Sequence, residues 1–278
     1  SLHDALPISY EAHARATMQW TGGNLKKENP PLYKLAKARV LGLGYGCGAD
    51  KFITVARDMA GLDICADDPA EVQATLYDGT PVFLPNGQPK MIPGRGTTSK
   101  RIVREYRESN PLIAGRASPE GGADGIWERL DKAFKQSVGE SFEMELPNGR
   151  VMRYPDVKQE YRAVPDPENH LKWRRRLVTT ALVFSTKTNG LRRENLYGGK
   201  LTENLVQATA RDVFGEQIVR LDATPDVDVL WTVHDEAVNE VDQHVTPRDI
   251  EQIMSITPEW LKGCPISAEA KEVKHYTK

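Results

Sequence analysis

The stretch that most restricts the fold is Val227-Asp228-Val229-Leu230-Trp231-Thr232-Val233-His234-Asp235-Glu236-Ala237-Val238-Asn239-Glu240-Val241. Apolar and polar residues alternate on both sides of His234-Asp235, and a strand puts every second residue on one face. Val227, Val229, Trp231 and Val233 are expected to share that face. His234-Asp235 falls at a tight turn, where aspartate is favoured. The segment is read as two short antiparallel strands with an acidic tip. Asp235 and Glu236 are adjacent carboxylates, and they repel each other unless a cation neutralises them. Mg2+ wants hard oxygen ligands and keeps several waters, so one or two carboxylates plus a substrate phosphate suffice. A plain polar turn is the other reading of the same residues.

A second informative stretch runs from Leu32 to Tyr45. Pro30-Pro31 opens a helix there, a position that tolerates proline, and the helix dissolves into Gly44-Tyr45-Gly46-Cys47-Gly48. At about 100° per residue, Lys34, Lys37, Leu41 and Tyr45 fall on one side. Leu32, Leu35, Ala36, Val40 and Leu43 fall on the other and form a core stripe. The first side offers two ammonium groups, an apolar side chain and an aromatic ring. That order suits the phosphates, sugar and base of a nucleoside triphosphate. An amphipathic helix with ordinary surface lysines fits the same pattern.

The rest of the chain reads as a mixture of helices and strands. Helices are expected at Tyr10–Trp20, Lys51–Gly61, Thr98–Asn110, Gly125–Gly139 and Thr202–Val219. Phe142–Tyr154 alternates around Pro147-Asn148-Gly149-Arg150, a hairpin signal. Arg176–Thr186 is β-like, Pro81–Gly96 is a loop or β excursion, and Tyr161–Asn169 is a Pro-rich polar connection. The opening segment, Ser1 to Ser9, has no clear periodicity and does not begin with Met, so it reads as a leader or truncated element.

Composition narrows the class. With 39% hydrophobic and 27% charged residues the chain is an ordinary globular protein. Its longest apolar runs, such as Val178 to Phe184, fall far short of a membrane span. The odd set Cys47, Cys65 and Cys264 lacks metal-ligand spacing and reads as free thiols in a reducing cytosol. A net charge of −2 gives no global basic footprint. Local basic clusters stand at Lys26-Lys27, at Lys100-Arg101 with Arg104 and Arg107, and at Lys172 with Arg174-Arg175-Arg176.

These features together resemble the bacteriophage-type family A DNA polymerases. Lys37-Ala38-Arg39-Val40-Leu41-Gly42-Leu43-Gly44-Tyr45-Gly46 is similar to that family's nucleotide-binding fingers helix. Val233-His234-Asp235-Glu236 is similar to its palm metal motif. Tyr197-Gly198-Gly199-Lys200-Leu201-Thr202-Glu203-Asn204-Leu205-Val206-Gln207-Ala208-Thr209-Ala210-Arg211-Asp212 resembles the palm helix of phage members, and Pro265-Ile266-Ser267-Ala268-Glu269 to Lys278 resembles their closing segment. The motifs come in the family's order and spacing.

The resemblance implies an α+β fold: a helical fingers subdomain over residues 10–190 and the C-terminal part of a palm with a small antiparallel sheet over 191–278. It implies template-directed transfer from a dNTP to a primer 3′-hydroxyl by a monomer, in the cytoplasm of an infected bacterial cell. The partners are primer–template DNA and dNTPs, with no membrane, and the cofactor is Mg2+. Asp235 is then a metal ligand, Glu236 supports the metal and primer end, and His234 positions the primer terminus. Lys37 binds the triphosphate and protonates the leaving pyrophosphate, with Lys34 beside it. Leu41 stands at the sugar, Tyr45 at the templating position, and Gln207 on the primer–template duplex. Leu41 departs from the family's Phe or Tyr, and Tyr33 from its Arg.

The family's other essential aspartate lies in a strand before the segment matching Tyr10–Trp20, and nothing upstream of Tyr10 resembles it. The chain is therefore read as a fragment that does not polymerise alone. Three other classes compete. A non-catalytic DNA-binding fragment shares the fold. A dinucleotide-binding oxidoreductase needs a glycine where Cys47 stands. A metal phosphohydrolase built on His234-Asp235 needs further spaced ligands.

Overall fold

A computed structural model of the chain describes residues 2–75, 80–115, 124–165 and 173–276. The fold is α+β, with helices and small antiparallel sheets. The chain forms two compact units, one of Tyr10–Glu128 and the other of Ser1–Ser9 with Arg129–Lys278.

Tyr10–Glu128 is mostly helical. Its elements are α1 (Leu2–Thr17), which begins before this unit, α2 (Leu25–Glu28), α3 (Pro30–Ala38) and α4 (Ala49–Ala60). A small ribbon of β1 (Glu71–Gln73) and β2 (Met91–Pro93) follows, then α5 (Thr97–Ser109), α6 (Pro111–Ala114) and α7 (Ile126–Gln136), which runs on into the next unit. α1 starts at Leu2, well before the expected Tyr10, and stops at Thr17, where Gln19 turns the chain at φ 56. Asn29 starts α3 by accepting a hydrogen bond from the Leu32 amide at 3.1 Å, and Pro30 then needs no donor partner. Gly61 ends α4 with φ 70, a left-handed conformation that glycine adopts without a side-chain clash.

The core of this unit joins Ala38, Leu43, Phe52, Ile102, Val103 and Tyr106. α5 is started from outside itself. The Asp68 carboxylate accepts from the Gly96 amide at 2.6 Å, the Thr97 hydroxyl at 3.1 Å and the Thr98 amide at 3.1 Å. Desolvation pushes this carboxyl up. The bonds from Thr98, Gly96 and Cys65 outweigh that and hold it well below the usual carboxylate range.

The second unit carries the sheets. β3 (Phe142–Glu145) and β4 (Val151–Tyr154) form a hairpin. β5 (Lys158–Pro165), β6 (Trp173–Ser185) and β7 (Gly190–Asn195) form an antiparallel sheet in that order. α8 (Gly198–Asp222) follows, then the β8 (Val227–Val233) and β9 (Glu236–Val241) hairpin and α9 (Pro247–Met254). One core joins Phe134, Phe142, Met144, Tyr154, Val157, Ala181, Leu196 and Leu201. It draws on both sides of residue 190, and the compact units part at Glu128/Arg129. A second core joins Phe214, Leu221, Val227, Ile250 and Met254. Asp212 ties α8 to the β3–β4 turn by accepting from Asn148 at 2.8 Å and Arg150 at 3.1 Å.

Two stretches differ from the sequence reading. Tyr161–Pro165, expected as a connection, continues β5 and pairs with Trp173–Leu177. The remainder of that expected connection, 166–169, lies outside the described residues. α9 was not expected; Thr246 and Asp249 cap it reciprocally, a signal available in the sequence. Among the described residues no helix is long and apolar enough to cross a membrane.

Because Asp68 satisfies the first amides of α5, Asp68→Ala is expected to destabilise the chain by about 1 kcal/mol, as loss of a helix cap does. The folded carboxyl is depressed, so its contribution is full above about pH 4 and fades as pH falls through the lower folded value. Equal urea midpoints for variant and parent at neutral pH would contradict this.

Candidate functional site

The lysine-bearing helix is not one regular helix. It is α-helical through Ala38 and then makes a π turn over Arg39–Leu43, with the Cys47 amide donating to the Gly42 carbonyl at 3.3 Å. A π turn widens the helix by one residue and often marks functional sites. The 100° projection therefore holds for Lys34 and Lys37 but not for Leu41 and Tyr45, which lie in and beyond the wide turn. Lys34 is exposed, while Lys37, Leu41 and Tyr45 are half-buried. Neither lysine has an ion-pair partner among the described residues.

The inner side of this helix also differs from the expected stripe. Ala36, Ala38, Arg39 and Leu43 are buried, whereas Leu32, Leu35 and Val40 are half-buried. Arg39, assigned no role by the sequence, is only 4% exposed and donates to Glu105 at 3.3 Å. Its Nε finds no partner among the described residues. The His13 ring lies 5.6 Å from the ring of Tyr106. Desolvation, then the Arg39 charge, lower the His13 pKa to about 4, so His13 is neutral at physiological pH. Burial, then Tyr45, push the Tyr106 phenol up to about 12.

Tyr10 is fully buried, its ring edge-on to Tyr33 at 5.7 Å, and its hydroxyl has no partner among the described residues. The Trp127 indole donates to the Gly44 carbonyl at 3.2 Å. A Cβ on Gly44 would lie 2.5 Å from the Val40 carbonyl oxygen and 3.2 Å from the Tyr106 hydroxyl, so the close turn requires glycine there.

The acidic hairpin forms as expected, with Val233 opposite Glu236 and His234-Asp235 between them. His234 adopts φ 56, a left-handed conformation for which histidine is one of the more tolerant side chains. The expected shared face of Val227, Val229, Trp231 and Val233 is broken. A bulge at Leu230 shifts the register, leaving Leu230 and Trp231 both about half exposed. His234 and Glu236 are exposed and Asp235 is half-buried. Tyr276 donates to a Glu236 carboxylate oxygen at 3.0 Å and meets Trp231 edge-on at 6.2 Å. Asp235 has no cationic partner among the described residues. Gln207 lies exposed on α8.

Adjacent carboxylates, one of them unpaired, are a donor set that suits a hard cation completed by water and phosphate oxygens. No third donor joins them among the described residues. The group of three that does come together is Asp226, Asp242 and His244, at the open end of the same hairpin. All three are exposed, and His244 pairs with Asp226 at 3.4 Å.

Comparison with curated proteins finds 36% identity over 193 residues to the DNA polymerase of Bacillus phage SP02, a stretch covering 68% of this chain. The chain spans about a quarter of that relative's length, 27%. No family model and no solved structure matches.

The desolvated setting of His13 predicts an imidazole NMR titration midpoint near 4. Its folded pKa is depressed, so the chain should lose stability as pH falls from about 6.5 towards that midpoint, because the unfolded ring takes a proton first. His13→Gln should flatten this part of the melting-temperature profile; an unchanged slope would count against it.

Proposed function

We propose that this chain carries nucleotide-binding and metal-binding parts of a family A DNA-directed DNA polymerase of bacteriophage type. The observation that carries the proposal is the pairing of two chemistries. Among the described residues the lysine-bearing helix has ammonium groups without acidic partners, and the two-residue turn has a carboxylate without a cationic one. Both stand in segments that resemble the family's motifs, and the similarity to a phage DNA polymerase supports the same reading.

In this reading Lys37 binds the dNTP triphosphate, with Lys34 adding charge from the exposed side of α3. A charged group that accepts no bond of its own is well suited to phosphate oxygens. Leu41 contacts the sugar, and its apolar side chain offers no hydroxyl to compete with a sugar oxygen. Tyr45 serves the templating position, Gln207 the primer–template duplex, and His234 the primer terminus. Asp235 and Glu236 would hold Mg2+, which when bound would supply neutralisation of phosphoryl charge and favour ionisation of the attacking hydroxyl. Tyr276 holds the Glu236 carboxylate in one orientation, leaving Asp235 as the freer ligand. At the leaving pyrophosphate, Lys37 supplies a proton.

Two-metal chemistry needs a further carboxylate, and none joins Asp235 and Glu236 among the described residues. The chain by itself is therefore proposed to bind nucleotide without extending primers.

Calorimetric titration of the purified chain with a dNTP and Mg2+ tests the binding roles. Lys37→Ala should weaken triphosphate binding by about ten-fold or more, the scale of a lost charge-assisted hydrogen bond. Asp235→Asn should remove the Mg2+-dependent part of the affinity and spare the rest. Parental binding in both variants would refute the assignment. Separately, primed template and dNTPs incubated with the chain alone should give no longer product on a sequencing gel; robust extension would overturn the claim of inactivity.

A further inference from the structure

β6 is a single 13-residue strand shared by two hairpins. β7 pairs with its Thr180–Ser185 half, and β5 with its Trp173–Thr180 half, so only Thr180 has partners on both sides. From Thr180 to Trp173 the ribbon is two-stranded, projecting about 23 Å at ordinary strand rise. Near Thr180 it is anchored: Thr179, Thr180 and Ala181 are buried, and Ala181 belongs to a core. Beyond Val178 its surface no longer serves that core.

The projecting end has two chemically distinct faces. Directly paired residues share a face, so Trp173, Arg175, Leu177 and Tyr161 lie on one. Trp173 is 68% exposed and Tyr161 63%, large areas of ring to leave in water. The Arg175 guanidinium lies 5.0 Å from the Tyr161 ring centroid. Arg162, Arg174 and Arg176 lie on the other face, with Arg162 directly opposite Arg176. Like charges placed directly opposite each other destabilise a sheet. Glu160 answers Arg162, but Arg174, Arg175 and Arg176 have no acidic partner among the described residues.

A ribbon that keeps exposed aromatic rings and arginines without acidic partners among the described residues fits a partner that brings negative charge and flat π-faces together. We propose that the Trp173–Leu177 end of the β5–β6 ribbon binds single-stranded DNA on the face of Trp173 and Tyr161, its bases stacking on those rings, its phosphates meeting Arg175 on that face and Arg174 and Arg176 around the edge of β6, which β7 leaves uncovered there. Duplex DNA satisfies the arginines but not the rings, because its base faces are already stacked. An acidic peptide likewise brings charge without the flat faces. Tyr161 lies opposite Leu177, four residues along the ribbon from Trp173, so the two rings stand about 13 Å apart, comparable to the reach of two nucleotides in an extended single strand. Stacking on aromatic side chains tolerates any base, and basic side chains track the backbone. None of these residues is among those assigned above to nucleotide or metal. Calling its ligand the template strand rests on the polymerase reading; binding of a single strand does not.

The test measures anisotropy of a labelled oligothymidylate titrated with the whole chain over a range of salt, with melting temperature and dNTP affinity measured on the same samples. Trp173→Ala should weaken oligothymidylate binding about ten-fold, as loss of a base-stacking ring does. Arg174→Ala/Arg176→Ala should lower the slope of log affinity against log salt by about 1.4, the single-strand value for two phosphate contacts. Neither change should lower the melting temperature, and both should leave dNTP binding at the parental level. The proposal is overturned if the chain does not bind oligothymidylate or if both variants bind it like the parent. It is equally overturned if the variants lose a duplex or a poly-glutamate peptide while retaining the single strand. Should oligothymidylate binding depend on the ribbon while dNTP binding is indifferent to Lys37→Ala, the ribbon assignment stands and the polymerase reading falls.

Discussion

The helical unit is organised around a guanidinium that has been taken out of water. Arg39 cannot shed its proton to escape burial, so the fold must answer its charge. Glu105 on α5 does so at 3.3 Å, and this contact joins the turn after α3 to a helix far along the chain. Ala38 and Leu43 pack in the same core, so charge pairing and apolar burial fix the same side of the helix. A buried cation also sets the state of its neighbours. His13 is kept from becoming a second cation near neutral pH first by its own burial and then by this charge. Arg39 points into the interior, whereas Lys34 is exposed and Lys37 half-buried, both without acidic partners among the described residues.

Much of this was legible in the sequence, and the failures have identifiable causes. The helix after Pro30-Pro31 and the hairpin around His234-Asp235 were legible because each has a clear period and a clear punctuation residue. Arg39 was passed over because a lone arginine in an amphipathic helix is usually a surface group; its burial depends on Glu105, which no local pattern reveals. The π turn at Arg39–Leu43 was hidden because a fixed 100° step cannot register one extra residue. At Leu230 the same error occurs in a strand: alternation assumes an unbroken ladder, and a bulge moves Trp231 out of phase with Val229. Tyr161–Pro165 reads as a connection because Pro165 is a poor strand residue, yet Pro165 stands at the end of β5 opposite Trp173, where a missing donor costs least. The compact units could not be read locally, because Phe134 and Leu201 meet in one core although far apart in sequence.

The acidic turn illustrates a division between what holds a site and what the site exposes. Strands β8 and β9 are anchored at one end by Val227 in a buried cluster with Phe214, Leu221, Ile250 and Met254. Towards the other end the bulge releases Leu230 and Trp231 from any strict inward face. Tyr276 then covers part of Trp231 and bonds to Glu236, so a residue from the end of the chain restrains the half of the turn that the ladder leaves loose. Of the two neighbouring carboxylates one is oriented by a phenol and the other is not. That asymmetry gives adjacent like charges different tasks without any difference in side-chain chemistry.

The ribbon of β5 and β6 shows the same tension from the side of stability. A sheet built only to be stable would not set Arg162 opposite Arg176, nor leave the rings of Trp173 and Tyr161 in water. It can tolerate both because its cohesion is generated elsewhere, at Thr179–Ala181, where the strand is buried and one hairpin hands over to the other. Backbone hydrogen bonds carry the ladder outward from that anchor regardless of side-chain identity. The side chains of the projecting end are therefore released from any duty to the core, and their composition reports on what they meet in solution. Lysines and threonines would keep such an end soluble. Arginines and exposed aromatic rings keep it soluble less well, and a charged, flat partner would satisfy both.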